Sequence, residues 1–130
     1  MKKINVLLVA LMLFVGSAFA QTQKAAWPEM KAFHTLMSGT FHPAEENNLA
    51  PLKEKAKELY NASKTWYASE IPANYKPEET KEALKQQMVQ CNDIWAEVAA
   101  KATDAKLKEM ITKAHDIFHK IAGECRKADH

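Results

Sequence analysis

The sequence predicts an all-α protein, folded as an antiparallel up-down-up-down four-helix bundle. Apolar residues recur at helical spacing in four segments, and no stretch alternates in the way a strand does. The five prolines lie where helices would begin or the chain would turn. Only 3 of the 130 residues are glycine, which disfavours many-stranded β folds. This length is enough for a single domain with a modest core.

The first helix is expected to run from Pro28 to Met37 or Thr40, where Gly39 marks its end. Residues 42–50 are polar and are expected to form a connection. The second helix is expected over Pro51–Ala68. The expected inner face of the first helix consists of Trp27, Met30, His34, Met37 and Phe41, and that of the second consists of Leu52, Ala56, Leu59, Ser63 and Trp66.

The third helix is expected to begin at Pro77, because Glu78 and Glu79 follow in the first turn, where the helix dipole favours acidic residues. Thr103 and Asp104 then supply a cap for the fourth helix. The expected inner faces are Leu84, Met88, Cys91, Trp95 and Val98 on the third helix, and Leu107, Met110, Ala114, Ile117, Phe118, Ile121 and Cys125 on the fourth.

Residues 1–20 have the pattern of a secretory signal peptide. A basic start is followed by an apolar run, Ile4–Val15, and by small residues at Ala18 and Ala20, which predict cleavage after Ala20. The run of about 12 residues is shorter than the ~20 that a membrane-spanning helix needs. The single bundle domain is therefore expected over residues 21–130, in the periplasm.

The charge of the expected mature chain is balanced. Removing Lys2 and Lys3 leaves 16 basic residues against 16 acidic ones. Neither a nucleic acid nor a membrane surface is therefore an expected partner. The sequence also lacks a Gly-x-Ser-x-Gly elbow, an HExxH pair and a Gly-rich phosphate loop, so we expect no enzymatic activity.

His115 and His119 form the main candidate metal site. Their spacing of four residues places both imidazoles on one face of a helix, where they can share a metal ion. With Ala114 at the centre of the inner face, His115 lies about 100° and His119 about 140° away. The pair is thus expected in a groove between helices or against a second molecule, as in a homodimer. Two ordinary surface histidines are the alternative interpretation.

Further ligands are expected from other helices. His34 belongs to the expected inner face of the first helix, which is adjacent to the fourth, and Cys91 is expected at the height of His115. Met37 and His42 are weaker candidates. Imidazole with thiolate or thioether suits copper or zinc, and also nickel.

The two cysteines are not expected to form a disulfide within one chain. In a hairpin turning near Thr103, Cys91 and Cys125 differ in height by about 15 Å, which exceeds the reach of a disulfide. Each thiol is then free, paired with another chain or linked to a metal.

The architecture resembles the cytochrome b562 and cytochrome c′ group, through Met30 in PEMKAF and His119 in IFHKI. This resemblance implies a b-type haem between helices, with Met30 and His119 as axial ligands. The sequence has no CxxCH, so covalent attachment of haem is excluded.

Three functions follow from these observations. The first is a non-enzymatic periplasmic metal-binding protein for buffering, storage or sensing of copper, zinc or nickel. The second is a haem protein for electron transfer. The third is a metal-free module that binds a partner or serves in envelope stress.

Overall fold

The computed structural model describes residues 27–127 and confirms the all-α four-helix bundle. The helices are α1 (Pro28–Glu45), α2 (Ala50–Ala68), α3 (Pro77–Ala99) and α4 (Asp104–His119), followed by a π-helical turn (Lys120–Glu124). Each helix packs against its neighbours in the chain, and α1 packs against α4 to close the ring. The predicted signal peptide, residues 1–20, lies outside the described residues.

An aromatic cluster fills one end of the bundle. Neighbouring ring centroids in it lie 4.9 to 6.2 Å apart. All of its members are buried, so their large apolar surfaces tie α1, α2, α4 and the α2–α3 loop together. The cluster consists of Trp27, Phe33, Trp66, Tyr75 and Phe118.

Helix α1 is longer than the sequence predicted. Gly39 does not end it, and Pro43 lies inside its last turn. The helix ends in a Schellman motif instead: Asn47 adopts a left-handed conformation (φ 66°), and the Asn48 amide donates to the Pro43 carbonyl at 2.9 Å. Phe41 and Ala44 are both buried in the added segment. We attribute the extension to this burial, which outweighs the poor helix propensity of glycine and proline.

The inner faces of α1 and α3 differ from those expected at one position each. On α1, Phe33 is buried and His34 is exposed, so the prediction of a core histidine at His34 is wrong. On α3, Trp95 is 36% exposed, whereas Ile94 is fully buried. Met37 and Phe41 on α1, and Leu84 and Cys91 on α3, are buried as expected. The sequence pattern therefore located each inner face, but at His34 and Trp95 it chose the wrong one of two adjacent residues, which are about 100° apart on a helix.

Two glutamines of α3 fix α4 in place. The Nε2 amide of Gln87 donates to the Ala114 carbonyl at 2.8 Å, and that of Gln90 donates to the Met110 carbonyl at 2.9 Å. Both side chains are buried, where a hydrogen bond is strong because water does not compete. They hold α4 on the side that faces α3 and leave its other side to face α1.

The C-terminal residues anchor the end of α4. The Lys76 amide donates to the Cys125 carbonyl and the Lys127 amide donates to the Asn74 carbonyl, each at 2.8 Å. These bonds surround an isolated antiparallel bridge between Tyr75 and Arg126. The chain after His119 is therefore tied to the α2–α3 loop, which restrains the last turn of α4.

We predict that Gly39→Ala stabilises the protein. Gly39 is exposed within a regular helix, and a Cβ atom placed there meets nothing within 4 Å. Alanine restricts the unfolded chain more than glycine does, so the free energy of unfolding should rise by about 0.5–1 kcal/mol. Urea unfolding followed by far-UV circular dichroism measures this change.

The matched control is Ala32→Gly, an exposed position on the same helix, which should lower the free energy of unfolding by a similar amount. A loss of stability in Gly39→Ala would show that α1 is interrupted at Gly39.

Candidate functional site

His115 and His119 lie together on α4, as their spacing predicted. Their Nε2 atoms are 3.1 Å apart, and the two rings are nearly perpendicular, at 82°. His115 is half-buried and His119 is exposed. The pair therefore lies at the margin of the bundle and not on its axis, which confirms the position expected from the helical phase.

Phe41 of α1 orients the ring of His115. The two rings stack face to face, with centroids 3.8 Å apart and planes 7° from parallel. Phe41 is itself buried, so its own packing fixes the plane against which the imidazole lies. His115 thus has one ring face covered by α1 and its Nε2 edge turned toward His119.

The environment of His115 lowers its pKa. Burial of the ring is the main cause, and the neighbouring His119 adds to it because a second positive charge is unfavourable. Asp116 and Glu45 act in the opposite direction, while His42 lowers the pKa slightly further. The net effect favours the neutral imidazole, which is the form that binds metal ions.

Two more histidines of α1 flank this pair. His42 Nδ1 lies 3.2 Å from Glu45 Oε1, and both side chains are more than half exposed. His34 Nε2 lies 3.3 Å from Ser38 Oγ, and the His34 ring stacks on Phe118 at 5.0 Å. His34 therefore contacts α4 from the surface of the bundle and not from its core.

Cys91 and Met37 belong to the bundle interior. Cys91 is fully buried, where its neighbour is Ser63 of α2, and burial raises the pKa of its thiol to about 12. Met37 is likewise buried. Cys91 and Cys125 are both free, in agreement with the expectation that they do not pair within one chain.

The ligand set expected from the sequence is not assembled in the structure. Among residues 27–127, no three His, Cys, Asp or Glu side chains come close enough to hold a metal ion. Of the expected ligands, the structure brings His115 and His119 together, keeps His34 and His42 nearby on α1, and places Cys91 in the core.

Met30 and His119, the expected haem ligands, have separate surroundings. Met30 Sδ accepts a hydrogen bond from the Tyr75 hydroxyl at 3.7 Å, next to Trp27 at the aromatic end of the bundle. His119 instead contacts His115. Haem ligation by this pair stays a prediction.

The geometry of the two imidazoles suits a shared ion. Nitrogens 3.1 Å apart, each at a metal distance of about 2.0–2.1 Å, subtend an angle of about 100°, close to tetrahedral. The same separation also suits a hydrogen bond in which one ring donates its Nε2 proton to the other. The two imidazoles can thus occupy two coordination positions of one metal ion. The remaining coordination positions of that ion stay open.

Sequence reasoning placed Phe41 on the inner face of the first helix but connected neither Phe41 nor Glu45 with this site. Both lie beyond the predicted end of the first helix, and their roles depend on its continuation to Glu45. Their spacing of four residues from each other was the available signal, because it places them on one helical face.

Comparison of the chain with protein-family models, curated proteins and solved structures finds no match. Within the described residues, no helix has the length and apolar character needed to cross a membrane.

We predict that the His115 ring titrates below the usual histidine pKa of about 6.5. The unfolded chain then takes up this proton at a higher pH than the folded protein does. Neutral His115 therefore contributes to the free energy of unfolding in full above about pH 6.5. This contribution is lost as the pH falls from there toward the lowered pKa of the folded protein. Two-dimensional NMR of the ring protons in chelator-treated buffer measures the titration, and urea unfolding at each pH measures the stability.

The control is His119→Gln, which removes the second imidazole that lowers the pKa of His115. The pKa of His115 should rise in this variant, while the effect of burial remains. A His115 pKa at or above the usual value in the unmodified protein would contradict the role assigned to burial under Phe41.

Proposed function

We propose that this protein binds a transition metal ion, copper, zinc or nickel, through His115 and His119, and that it is a non-enzymatic metal-handling protein. The observation that carries the proposal is the 3.1 Å separation of the two Nε2 atoms at the margin of the bundle, where α1 meets α4. Imidazole nitrogen is a good ligand for each of these ions. Buffering, storage or sensing requires only such a site and a stable scaffold.

Two further observations support this proposal. The lowered pKa of His115 keeps its imidazole neutral and available for a metal near neutral pH. The stack on Phe41 and the glutamine contacts on the opposite side of α4 hold the helix and the ring in place. A preoriented pair of ligands loses less conformational entropy on binding than two free side chains do.

The proposed location is the periplasm, because residues 1–20 have the pattern of a signal peptide. Mass spectrometry of the protein purified from its own cells tests this location. The expected chain begins at Gln21, and a chain that retains residues 1–20 in the cytoplasm would contradict it.

We predict that His115→Ala/His119→Ala abolishes tight metal binding and leaves the helix content unchanged. His119 is exposed, and the loss of His115 removes its stack on Phe41. Phe41 also belongs to the hydrophobic core, so the four helices are expected to persist. Isothermal titration with Zn²⁺, Cu²⁺ and Ni²⁺ measures the affinity and stoichiometry, and far-UV circular dichroism measures the helicity.

The matched control is Glu109→Ala/Lys113→Ala, an exposed pair with the same spacing on the same helix, which should bind metal normally. Unchanged stoichiometry in the histidine variant would refute the proposed site. A ratio of one ion per two chains would indicate a homodimer that shares the ion through the His115–His119 face.

Elemental analysis and an absorption spectrum of protein purified from its own cells distinguish the proposal from its alternatives. We expect about one equivalent of copper, zinc or nickel, per chain or per dimer, and no Soret band. Iron with a Soret band would instead favour a haem protein with Met30 and His119 as ligands. With neither metal nor haem, and no binding in titration, the contact between His115 and His119 is a hydrogen bond and the protein is a metal-free binding module.

A further inference from the structure

We infer that a second copy of this chain docks on the groove between α3 and α4, in an antiparallel dimer whose twofold axis passes near Val89. We name this surface the Val89 face. It is defined by Glu82, Lys85, Val89 and Asp93 of α3 and by Lys113 and Ile117 of α4. A dimer with a twofold axis uses the same patch on both copies, so the patch must be complementary to itself.

An exposed apolar side chain lies at the centre of the Val89 face. Among residues 27–127, the exposed large apolar side chains are Val89 (49%) and Trp95 (36%). Trp95 stacks on Tyr60 of α2, whereas Val89 borders the open groove together with the half-buried Ile117. Contact with a second molecule removes Val89 and Ile117 from water, which is favourable. Single exposed apolar side chains are also common on monomers, so the charges around Val89 decide what the second molecule is.

The charges on α3 are arranged around Val89 as an antiparallel copy requires. Lys85 lies four residues before Val89 and Asp93 lies four residues after it, each about 6 Å away along the helix axis. At 100° per residue, both are within about 40° of Val89 and share its helical face. A twofold axis near Val89 therefore brings Lys85 of each copy to the level of Asp93 of the other, where the long lysine side chain can form an ion pair.

The charges of the Val89 face have no ion-pair partner within the described chain. The four charged residues are Glu82, Lys85, Asp93 and Lys113, and all are exposed. None forms a salt bridge with another residue of the range 27–127. Two acidic and two basic groups leave the face without net charge, so a second copy meets no overall repulsion. A nucleic acid or another surface of uniform charge would be repelled by half of these groups, which favours a second copy as the occupant.

The groove is held open by contacts within one chain. Gln90 lines it and donates to the Met110 carbonyl at 2.9 Å, and Gln87 donates to the Ala114 carbonyl at 2.8 Å. These bonds fix the spacing of α3 and α4. Docking on a surface that is already rigid orders few additional groups and so costs little conformational entropy.

The Val89 face lies on the other side of α4 from the proposed metal site. With Ala114 as the reference, Lys113 and Ile117 are turned about 100° and 60° in one direction, whereas His115 and His119 are turned about 100° and 140° in the other. A dimer through the Val89 face therefore leaves the two histidines accessible. It forms without a metal ion, so the proposed function and the dimer can be tested separately.

We predict that the protein dimerises in chelator-treated buffer and that Lys85→Asp weakens the dimer by about tenfold or more. This substitution places like charges at the same level twice in each dimer, which is unfavourable. Asp93→Lys should weaken it for the same reason. Sedimentation equilibrium over a range of protein concentrations measures the dissociation constant, and far-UV circular dichroism checks that each variant is folded.

The double variant Lys85→Asp/Asp93→Lys should restore the dimer, because it exchanges the two charges and keeps each pair of opposite sign. A mixture of the two single variants should also associate, since opposite charges then meet at both positions. The matched control is Lys64→Asp, an exposed lysine of α2 outside the Val89 face, which should dimerise normally. Loss of a structural contact within one chain would not be repaired by exchanging the charges.

The outcomes separate this interface from the proposed function. A chain that stays monomeric in chelator-treated buffer at ~1 mM, where even weak association is detected, would overturn the inference. A dimer that neither single variant weakens, or that the double variant does not restore, would overturn it as well. A dimer that forms only with Zn²⁺ and is lost in His115→Ala/His119→Ala would support the metal site and overturn the Val89 interface. A chelator-resistant dimer with these charge effects supports the interface even if the protein binds no metal.

Discussion

The stack between Phe41 and His115 is the contact on which the candidate site depends. It joins α1 to α4 at the margin of the bundle, with 3.8 Å between the ring centroids. Phe41 reaches this place because α1 continues past Gly39 and Pro43, and its burial supplies part of the free energy that keeps the last turns helical. The same contact partly buries His115 and lowers its pKa. The length of α1, the geometry of the site and the lowered pKa of His115 therefore all depend on this contact.

The starts of the helices could be predicted from the sequence, and the end of the first could not. Pro28 and Pro77 each begin a helix, and Thr103 caps α4 by accepting a hydrogen bond from the Lys106 amide at 3.2 Å. These signals are local, since they depend on the residue and its own turn. The end of α1 depends on contacts with other helices, which residues near Gly39 do not reveal.

The histidine pair of the candidate site could be predicted from the sequence, and the ligands from other helices could not. The spacing of His115 and His119 fixes their relation whatever else the chain does, because both lie on one helix. To predict ligands from other helices, the rotation of each helix about its axis must be known to within one residue. The sequence left that rotation ambiguous. Phe33 and His34 compete for the same inner face, and the larger apolar side chain takes it. Cys91 was placed at a buried position correctly, and its neighbour there is Ser63 of α2.

The two buried cysteines allow the opening of the protein to be followed by thiol labelling. A thiol whose pKa is about 12 is almost entirely protonated at neutral pH, and Cys91 is also sealed from solvent, so reagents reach it when the helices separate. Cys125 is also buried, but it belongs to the short C-terminal segment that is tied to the α2–α3 loop. Its labelling follows the release of that segment alone. The relative rates of labelling at the two thiols thus distinguish global unfolding from local fraying, without any added probe.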